Sequence, residues 1–384
     1  MLPRGFAWLV RGAVWLVATG LLALLLTFDA TGHVDSALYD INMRHWTYTP
    51  GNDVVIVAID PSSLTKLGRW PFPRLLHARL INRLTDDGVR AIGLDITMTT
   101  PDAAHPAYDK ALASALRRNG HVVMPVFAEP TDLGGTLEEM LPVPGLAREA
   151  AAFGQVDVDE STDGISRGVY LMAGLGQAYW PSLGLALYRQ DHPRHPSAQL
   201  PGLRNPMPTG ESPYLWIRDY YALLHYAGPS GTFGRVSYAD VLDKKVPPSL
   251  LKGKTVLIGA TAEGMRDIVR TPDGLMPGVE YQANILESLQ RGLLLTPLGF
   301  TLQLVVGAIV LSVPCLLYGL PGFRRLWSVL LVGMLLPLAS SLLLLRALGW
   351  WWPPTACVLT VAIAGAAWWL LVRPAGTAIN ATPA

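Results

Sequence analysis

VVIVAID (54–60) is a continuous apolar run that ends in an acidic residue, and three similar runs follow it: RAIGLDI (90–96), HVVMPVF (121–127) and KTVLIGA (254–260). Uninterrupted apolar runs of this length are typical of strands that are buried on both faces of a parallel sheet. The first three runs are separated by segments long enough for one helix each. We therefore predict an α/β domain with a mostly parallel sheet and flanking helices.

The connecting segments carry helix signals. Pro73 precedes a leucine stripe that ends at Gly88, and a second leucine stripe ends at Gly120. Proline at the start and glycine just past the end are typical of helix boundaries. PGVEYQANILESLQRG (277–292) shows the same pattern and predicts a final helix of the domain. Between these helices, residues 154–159 and 168–173 predict a hairpin or an edge pair, and Gln190–Pro213 predicts a long surface loop.

Four apolar segments bracket this domain. The first is short, and the other three are about as long as a helix needs to cross a lipid core. The four are Ala13–Phe28, Leu298–Leu320, Leu326–Leu345 and Pro353–Val372. A secretory signal peptide resembles the first, but no A-x-A-like cleavage site follows Leu26, which favours an uncleaved anchor. We expect an anchor (residues 1–28), an extracytoplasmic domain (29–296), three transmembrane helices (297–373) and a short tail (374–384).

Arginines at the ends of these segments predict the orientation. More of them flank one side than the other: Arg4, Arg11, Arg324, Arg325 and Arg373 against Arg291 and Arg346. The positive-inside rule then places both termini in the cytoplasm and the α/β domain outside. The lipid bilayer is thus an expected partner. The apolar segments hold no Asp, Glu, Lys or His in their interiors, which argues against a transporter or pump.

The composition limits the classes of protein to which the chain can belong. Of 384 residues, 51% are hydrophobic and only 15% are charged, against about 25% charged in a usual soluble protein. The net charge of +1 gives no basic field for nucleic acid, so we expect no nucleic-acid partner. Both cysteines fall in apolar segments, so the α/β domain needs no disulfide.

Polar residues directly follow three of the predicted strands. Asp60 and Asp95 end two of the apolar runs, and Thr261 follows a third. In open parallel sheets the carboxyl ends of neighbouring strands form the ligand crevice, so these side chains converge if their strands are neighbours. In the alternative, each side chain caps the turn or helix that follows it. We treat the three as candidate ligand-binding residues with that alternative open.

Further candidates lie in loops that follow the same strands. Arg69, Trp70 and Arg74 follow Asp60, and two guanidinium groups beside an indole can bind an anion or an aromatic ring. An ion pair of Arg74 with an aspartate and a packing role for Trp70 are the alternative.

Arg266 and Asp267 follow the strand that ends in GATA and are ligand-binding candidates on the same grounds.

Metal sites are not expected. Asp157, Asp159 and Asp163 lack the glycine and terminal glutamate of an EF-hand loop, so they predict turn chemistry. His192 and His195 lie in a proline-rich segment without the further ligands that zinc needs. The sequence also shows no nucleophile and base set. We predict no metal, no cofactor and no enzyme activity.

Several segments together resemble one family. They are residues 40–44, VVIVAID, LGRWPFPR (67–74), RAIGLDI, GPSGTF (228–233), SYADVL (237–242), LKGKTVLIGATAEGMRD (251–267) and TPDGLMPGVEYQANILESL (271–289). In this order, and with three apolar segments after them, they resemble the type-two CHASE domain over residues 34–296. That domain is the extracytoplasmic sensor of bacterial histidine kinases, nucleotide cyclases and diguanylate cyclases.

The resemblance implies a sensory input module in the bacterial inner membrane. It implies that the domain detects a small molecule or an envelope protein, passes the signal across the membrane by helix displacement, and works as a homodimer. The cytoplasmic effector of the family is missing from these residues, so either the chain is truncated or it signals to a separate protein. A membrane-tethered envelope interaction protein is the alternative, and a periplasmic hydrolase using Asp60 and Asp95 is a weaker one.

Overall fold

The computed structural model describes residues 4–131, 135–192, 200–207, 209–210, 212–265, 267–317 and 326–372. The chain divides into two compact units. Met1–Tyr39 and Pro297–Ala384 form one, which we call the helical unit. Asp40–Thr296 forms the other, which we call the α/β unit.

The described helices are α1 (Arg4–Thr27), α2 (Gly32–Arg44), α3 (Pro61–Leu67), α4 (Arg74–Asp86), α5 (Pro106–Asn119), α6 (Pro144–Ala147), α7 (Leu183–Asp191), α8 (Tyr238–Leu242), α9 (Gly278–Arg291), α10 (Phe300–Leu317), α11 (Leu326–Leu348) and α12 (Thr355–Val372). The described strands are β1 (Val54–Ile59), β2 (Ala91–Leu94), β3 (Val122–Pro130), β4 (Leu137–Met140), β5 (Ala152–Gln155), β6 (Gly168–Leu175), β7 (Trp180–Pro181), β8 (Trp216–Leu223), β9 (Arg235–Ser237), β10 (Thr255–Ala260), β11 (Ile268–Thr271), β12 (Gly274–Pro277), β13 (Thr296–Pro297) and β14 (Trp350–Trp351).

A seven-stranded sheet organises the described part of the α/β unit. Its order is β4-β3-β2-β10-β1-β9, and β5 also pairs with β3. Every neighbouring pair is parallel except β3 with β4. Of the strands in this sheet, β10 comes last in the chain, yet it lies between β1 and β2. Its Leu257 is opposite both Ile56 and Gly93. The predicted α/β fold with a mostly parallel sheet is confirmed.

Helices cover both faces of this sheet, because its strands are apolar on both sides. Val55, Val57 and Ile59 of β1 pack in one core with α4, α5 and α8. The alternate residues Val54 and Ile56 pack in a second core with α7 and α9. Successive side chains of a strand point to opposite faces, so these two helix groups lie on opposite sides of the sheet.

The predicted helix boundaries match the structure. Pro73 occupies the N-cap position of α4, and Gly88 follows its C-terminus with φ 73°. Gly120 and Gly292 end α5 and α9 in the left-handed conformation. Glycine adopts this conformation without the steric cost that a Cβ imposes.

The predicted hairpin is wrong. β5 joins the main sheet in parallel with β3, whereas β6 belongs to a separate antiparallel sheet in the order β7-β6-β8. The Gln155 side chain of β5 contacts β6: its Nε2 donates a hydrogen bond to the Tyr170 carbonyl at 2.7 Å. The sequence predicted strands over 154–159 and 168–173, of which the second matches β6 while the first overlaps β5 only at its end. The pattern carried no information on the partners of these strands. Part of the predicted Gln190–Pro213 loop lies outside the described residues, and Leu203 within it pairs with Tyr221 of β8.

The helical unit has its own apolar core. α1 packs against α10 and α12, and α11 also packs against both. The core includes Leu22, Leu311 and Val361 together with Trp352, which is 1% exposed. Trp352 is therefore a core residue of the helical unit.

The prediction of four transmembrane helices is only partly supported. Two helices, α10 and α11, are long and apolar enough to cross a membrane. A third candidate exists only if Arg11–Thr27 and Gly32–Arg44, which are bent by 82°, count as one span. The apolar helix Thr355–Ala367 is shorter than the length required. By length and composition, the described residues therefore give two or three candidate spans and not clearly four.

Candidate functional site

The three polar residues at the carboxyl ends of the strands do follow neighbouring strands. Asp60, Thr261 and Asp95 follow β1, β10 and β2, which lie side by side. Their environments nevertheless differ. Asp60 Oδ1 accepts hydrogen bonds from Ser63 N at 2.7 Å and Ser237 Oγ at 3.0 Å, so Asp60 caps α3. The Thr261 hydroxyl donates to the Ile59 carbonyl at 3.4 Å. Asp95, in contrast, lines a cavity.

Asp95 lines a cavity of about 260 Å³ at this edge of the sheet, which we call the carboxyl-edge cavity. Asp267, Trp70 and Gln282 also line it. Its apolar wall consists of Ile96, Val156, Val158, Ala260 and Met265. The structure thus brings Trp70, Asp95 and Asp267, three of the candidate residues from the sequence, to one cavity, and adds Gln282.

The two carboxyl groups of the cavity have perturbed acidity. Burial raises the pKa of Asp95, and the neighbouring Asp267 carboxylate raises it further. Burial also raises the pKa of Asp267. Within the described residues, neither carboxyl group forms an ion pair or a side-chain hydrogen bond. Among the described residues, the site therefore holds two neighbouring acids without a compensating cation.

The first turn of α9 forms one side of the cavity. The Gly278 amide donates to the Asp267 carbonyl at 3.0 Å, and a Cβ at position 278 would overlap the Asp267 carboxylate. Tyr281 also lines the cavity, but its hydroxyl is already engaged, because it donates to the Gly168 carbonyl at 2.7 Å. Gln282 is only 2% exposed, and its Oε1 has no hydrogen-bond partner among the described residues.

Two other candidates from the sequence, Arg69 and Arg74, do not line the cavity. The Arg74 guanidinium forms an ion pair with Asp109 and donates to the Thr100 carbonyl. Arg69 is exposed and does not line the cavity, while Trp70 packs edge-on against Phe72. Arg266 lies outside the described residues. Whether any of these candidates binds a ligand stays a prediction.

The acidic group considered for calcium is engaged with arginines. Asp157 Oδ1 accepts a hydrogen bond from Arg218 at 2.8 Å, and Asp163 pairs with Arg167 at 2.6 Å. Burial raises the pKa of Asp159. The described residues contain no group of three or more His, Cys, Asp or Glu side chains placed to hold a metal ion. His192 stacks on Tyr188, and His195 is outside the described residues.

A second and larger cavity, of about 610 Å³, lies at the amino ends of the strands. Asp53, Arg90 and Arg291 contribute to its charged wall. Its charges are mostly matched, since Arg90 pairs with Asp191 at 3.1 Å and Arg291 with Glu287 at 3.3 Å. We therefore regard the smaller carboxyl-edge cavity, where the described residues supply no cation for the two acids, as the stronger candidate site.

Gln282 was not among the predicted site residues. The pattern of residues 277–292 predicted a helix but assigned no role to its polar residues. In the structure all residues from Gly278 to Ser288 are buried, including Glu280 and Asn284. A helix that carries several polar residues usually exposes them to solvent, so no local signal indicated that Gln282 is buried.

A parallel α/β sheet with a partly apolar cavity at its carboxyl edge is the arrangement of small-molecule-binding domains. A family model for the CHASE2 domain matches residues 15–319, so this chain belongs to the CHASE2 domain family. The resemblance found in the sequence is confirmed. The family comprises extracytoplasmic sensory domains of signalling receptors, and such a domain is not catalytic. No curated protein and no solved structure matches the chain.

Proposed function

We propose that this chain is the sensory input module of a bacterial membrane receptor. In this proposal the α/β unit lies outside the inner membrane and binds a small molecule or an envelope protein at the carboxyl-edge cavity. Binding displaces helices that lead into the membrane, and a cytoplasmic histidine kinase or cyclase responds. The receptor works as a homodimer.

The observation that carries the proposal is the position of α9. Its first turn lines the cavity through Gly278, Tyr281 and Gln282. At its other end, only Gly292–Gly299 separate it from α10, an apolar helix long enough to cross a membrane. One helix therefore connects the candidate binding site to a candidate span along the chain.

The packing of α9 suits the transmission of a displacement. It is buried along residues 278–288, and Val279 lies so close to Gly259 of β10 that a Cβ at position 259 would come within 2.6 Å of Val279 Cβ. Close-packed interiors deform little, so a helix held in this way shifts as a body. A shift of about 1–2 Å is a usual amplitude for a signalling helix.

The membrane part of the proposal is supported by the surface of the helical unit. Its helices expose large apolar side chains, among them Leu9, Val17, Ile309, Trp327 and Leu343, each more than 60% exposed. Exposed apolar surface of this extent needs a cover such as lipid. We propose four spans, with α1 and α12 added to α10 and α11, and with both termini in the cytoplasm as the arginine distribution predicts.

The proposal is tested with a kinase or cyclase fused after Val372. Two glycines inserted after Gln290 should interrupt α9 close to its C-terminus, because glycine weakens a helix interior. We expect the output to lose its response to the stimulus while the α/β unit stays folded by circular dichroism. A matched insertion between Lys244 and Lys245, in an exposed turn, should leave the response intact. An equal response from both insertions would contradict the proposal.

A further inference from the structure

We propose that the carboxyl-edge cavity binds an organic ammonium ion, namely a protonated primary amine attached to a small apolar body. This inference rests on the proposed function, because it names the ligand class of the same cavity. Charge balance, hydrogen-bond capacity and the shape of the wall support it independently of one another.

The charge balance of the cavity differs from that of two other buried carboxylates of the α/β unit. Asp40 pairs with Arg167, and the fully buried Glu280 pairs with Arg235. Asp95 and Asp267 have no such cation among the described residues. Two buried acids without a counter-ion are costly, and one positive charge placed between them would remove most of that cost.

The hydrogen-bond capacity also fits an ammonium group. An –NH₃⁺ group has three donors and no acceptor. The cavity offers carboxylate oxygens from Asp95 and Asp267 and the buried amide oxygen of Gln282, which has no partner among the described residues. A primary ammonium can therefore satisfy all three side chains at once, whereas a neutral alcohol supplies only one donor.

The wall of the cavity argues for an organic cation and against a metal ion. Calcium takes about 6–8 oxygen ligands and magnesium keeps a shell of waters. Most of this wall is instead apolar, with Val156, Val158 and Met265 among its residues, and the Trp70 indole lies beside it. An indole face attracts ammonium groups. The volume of about 260 Å³ suits a molecule on the order of ten non-hydrogen atoms, smaller than a usual drug-sized ligand.

The same contacts explain how the ligand would act on α9. Asp95 follows β2 of the central sheet, Asp267 precedes β11, and Gln282 belongs to α9. A cation held by all three would draw the first turn of α9 towards the end of β2. Without the cation, no such link joins these three side chains.

The test uses the full chain in lipid nanodiscs and isothermal titration calorimetry at neutral pH. The probes are 2-phenylethylamine, cyclohexylmethylamine and butylamine, with 2-phenylethanol as the neutral isostere of the first and calcium chloride as the metal alternative. We expect at least one amine to bind tenfold or more tightly than the alcohol. Asp95→Asn and Asp267→Asn should each weaken that amine tenfold or more.

Asp86→Asn is the matched control, since Asp86 is exposed on α4 and pairs with Arg118 at the surface. It should leave amine binding unchanged. The proposal is overturned if no amine exceeds the alcohol in the folded wild type, or if both cavity variants bind amine as the wild type does. Calcium binding that Asp95→Asn abolishes would also overturn it and would assign the cavity to a metal.

The result of the amine-binding test can be separated from the result of the insertion test of the proposed function. If the amines fail but the insertion in α9 still uncouples the effector, the sensor role stands and only the ligand class is wrong. If the amines bind but the insertion has no effect, the cavity is a binding site without the proposed route of transmission.

Discussion

Two buried acidic sites lie at the first turn of α9, and they differ in how their charge is balanced. Glu280 is fully buried, and its carboxylate accepts hydrogen bonds from the amides of Gly231 at 2.9 Å and Phe233 at 3.3 Å and pairs with Arg235. Asp95 and Asp267 are two acids in one cavity without a cation among the described residues. The first site therefore stabilises the fold, whereas the second costs stability in exchange for the ability to bind a positive charge.

The largest effect is expected at Glu280. Glu280→Ala leaves the amides of Gly231 and Phe233 and the Arg235 guanidinium without their acceptor, and we expect a loss of about 3–5 kcal/mol in the free energy of unfolding. Thermal unfolding followed by near-ultraviolet circular dichroism measures this. Asp86→Ala, at the surface, should change the melting temperature little. Unchanged stability of Glu280→Ala would show that the two acidic sites do not differ as described.

Asp95→Asn should act in the opposite direction. Removing one of two unbalanced buried acids should stabilise the ligand-free protein by about 2 kcal/mol at neutral pH. At this chain length the melting temperature should rise by several degrees. Destabilisation instead would mean that Asp95 is held by a counter-charge, as Glu280 is.

Gly278→Ala tests how tightly α9 borders the cavity. Alanine usually favours a helix over glycine, but here its Cβ would overlap the Asp267 carboxylate. We expect a loss of about 1–2 kcal/mol. Gly234→Ala is the matched control, because a Cβ there meets nothing within 4 Å. A gain in stability for Gly278→Ala would show that the Asp267 carboxylate moves away freely.

The comparison also depends on pH. Burial and Asp267 raise the pKa of Asp95 to about 8, so the folded chain keeps a proton on Asp95 that the unfolded chain loses above about pH 4. The unfolded state then binds fewer protons, and stability falls as pH rises across this interval. The stability advantage of Asp95→Asn should therefore be small near pH 4 and grow towards pH 8. An advantage that does not vary with pH would contradict the raised pKa.

Much of the fold could be predicted because its signals are local. The apolar runs at 54–60 and 254–260, and the proline and glycine boundaries of α4, depend on a few neighbouring residues. Strand partners could not be predicted in the same way. The pairing of β5 with β3 depends on contacts between residues about 30 apart, and no local pattern encodes it.

The candidate site was predictable in part for the same reason. Asp95 was placed by its position after a strand, and Asp267 by its place in a motif. The distinction between Asp60 and Asp95 was not predictable, because it depends on Ser63 and Ser237 reaching Asp60 while no side-chain donor of the described residues reaches Asp95. Gln282 was missed because its burial follows from the packing of the whole helix α9.

The central claim is that Asp95 and Asp267 share the carboxyl-edge cavity without a counter-ion until a cation binds. Infrared difference spectroscopy of the wild type against Asp95→Asn at neutral pH tests this most directly. We predict a protonated carboxyl band in the wild type that is absent in Asp95→Asn and that disappears when the amine binds. A fully ionised Asp95 in the ligand-free wild type would contradict the claim, because it would require a compensating charge already in the cavity.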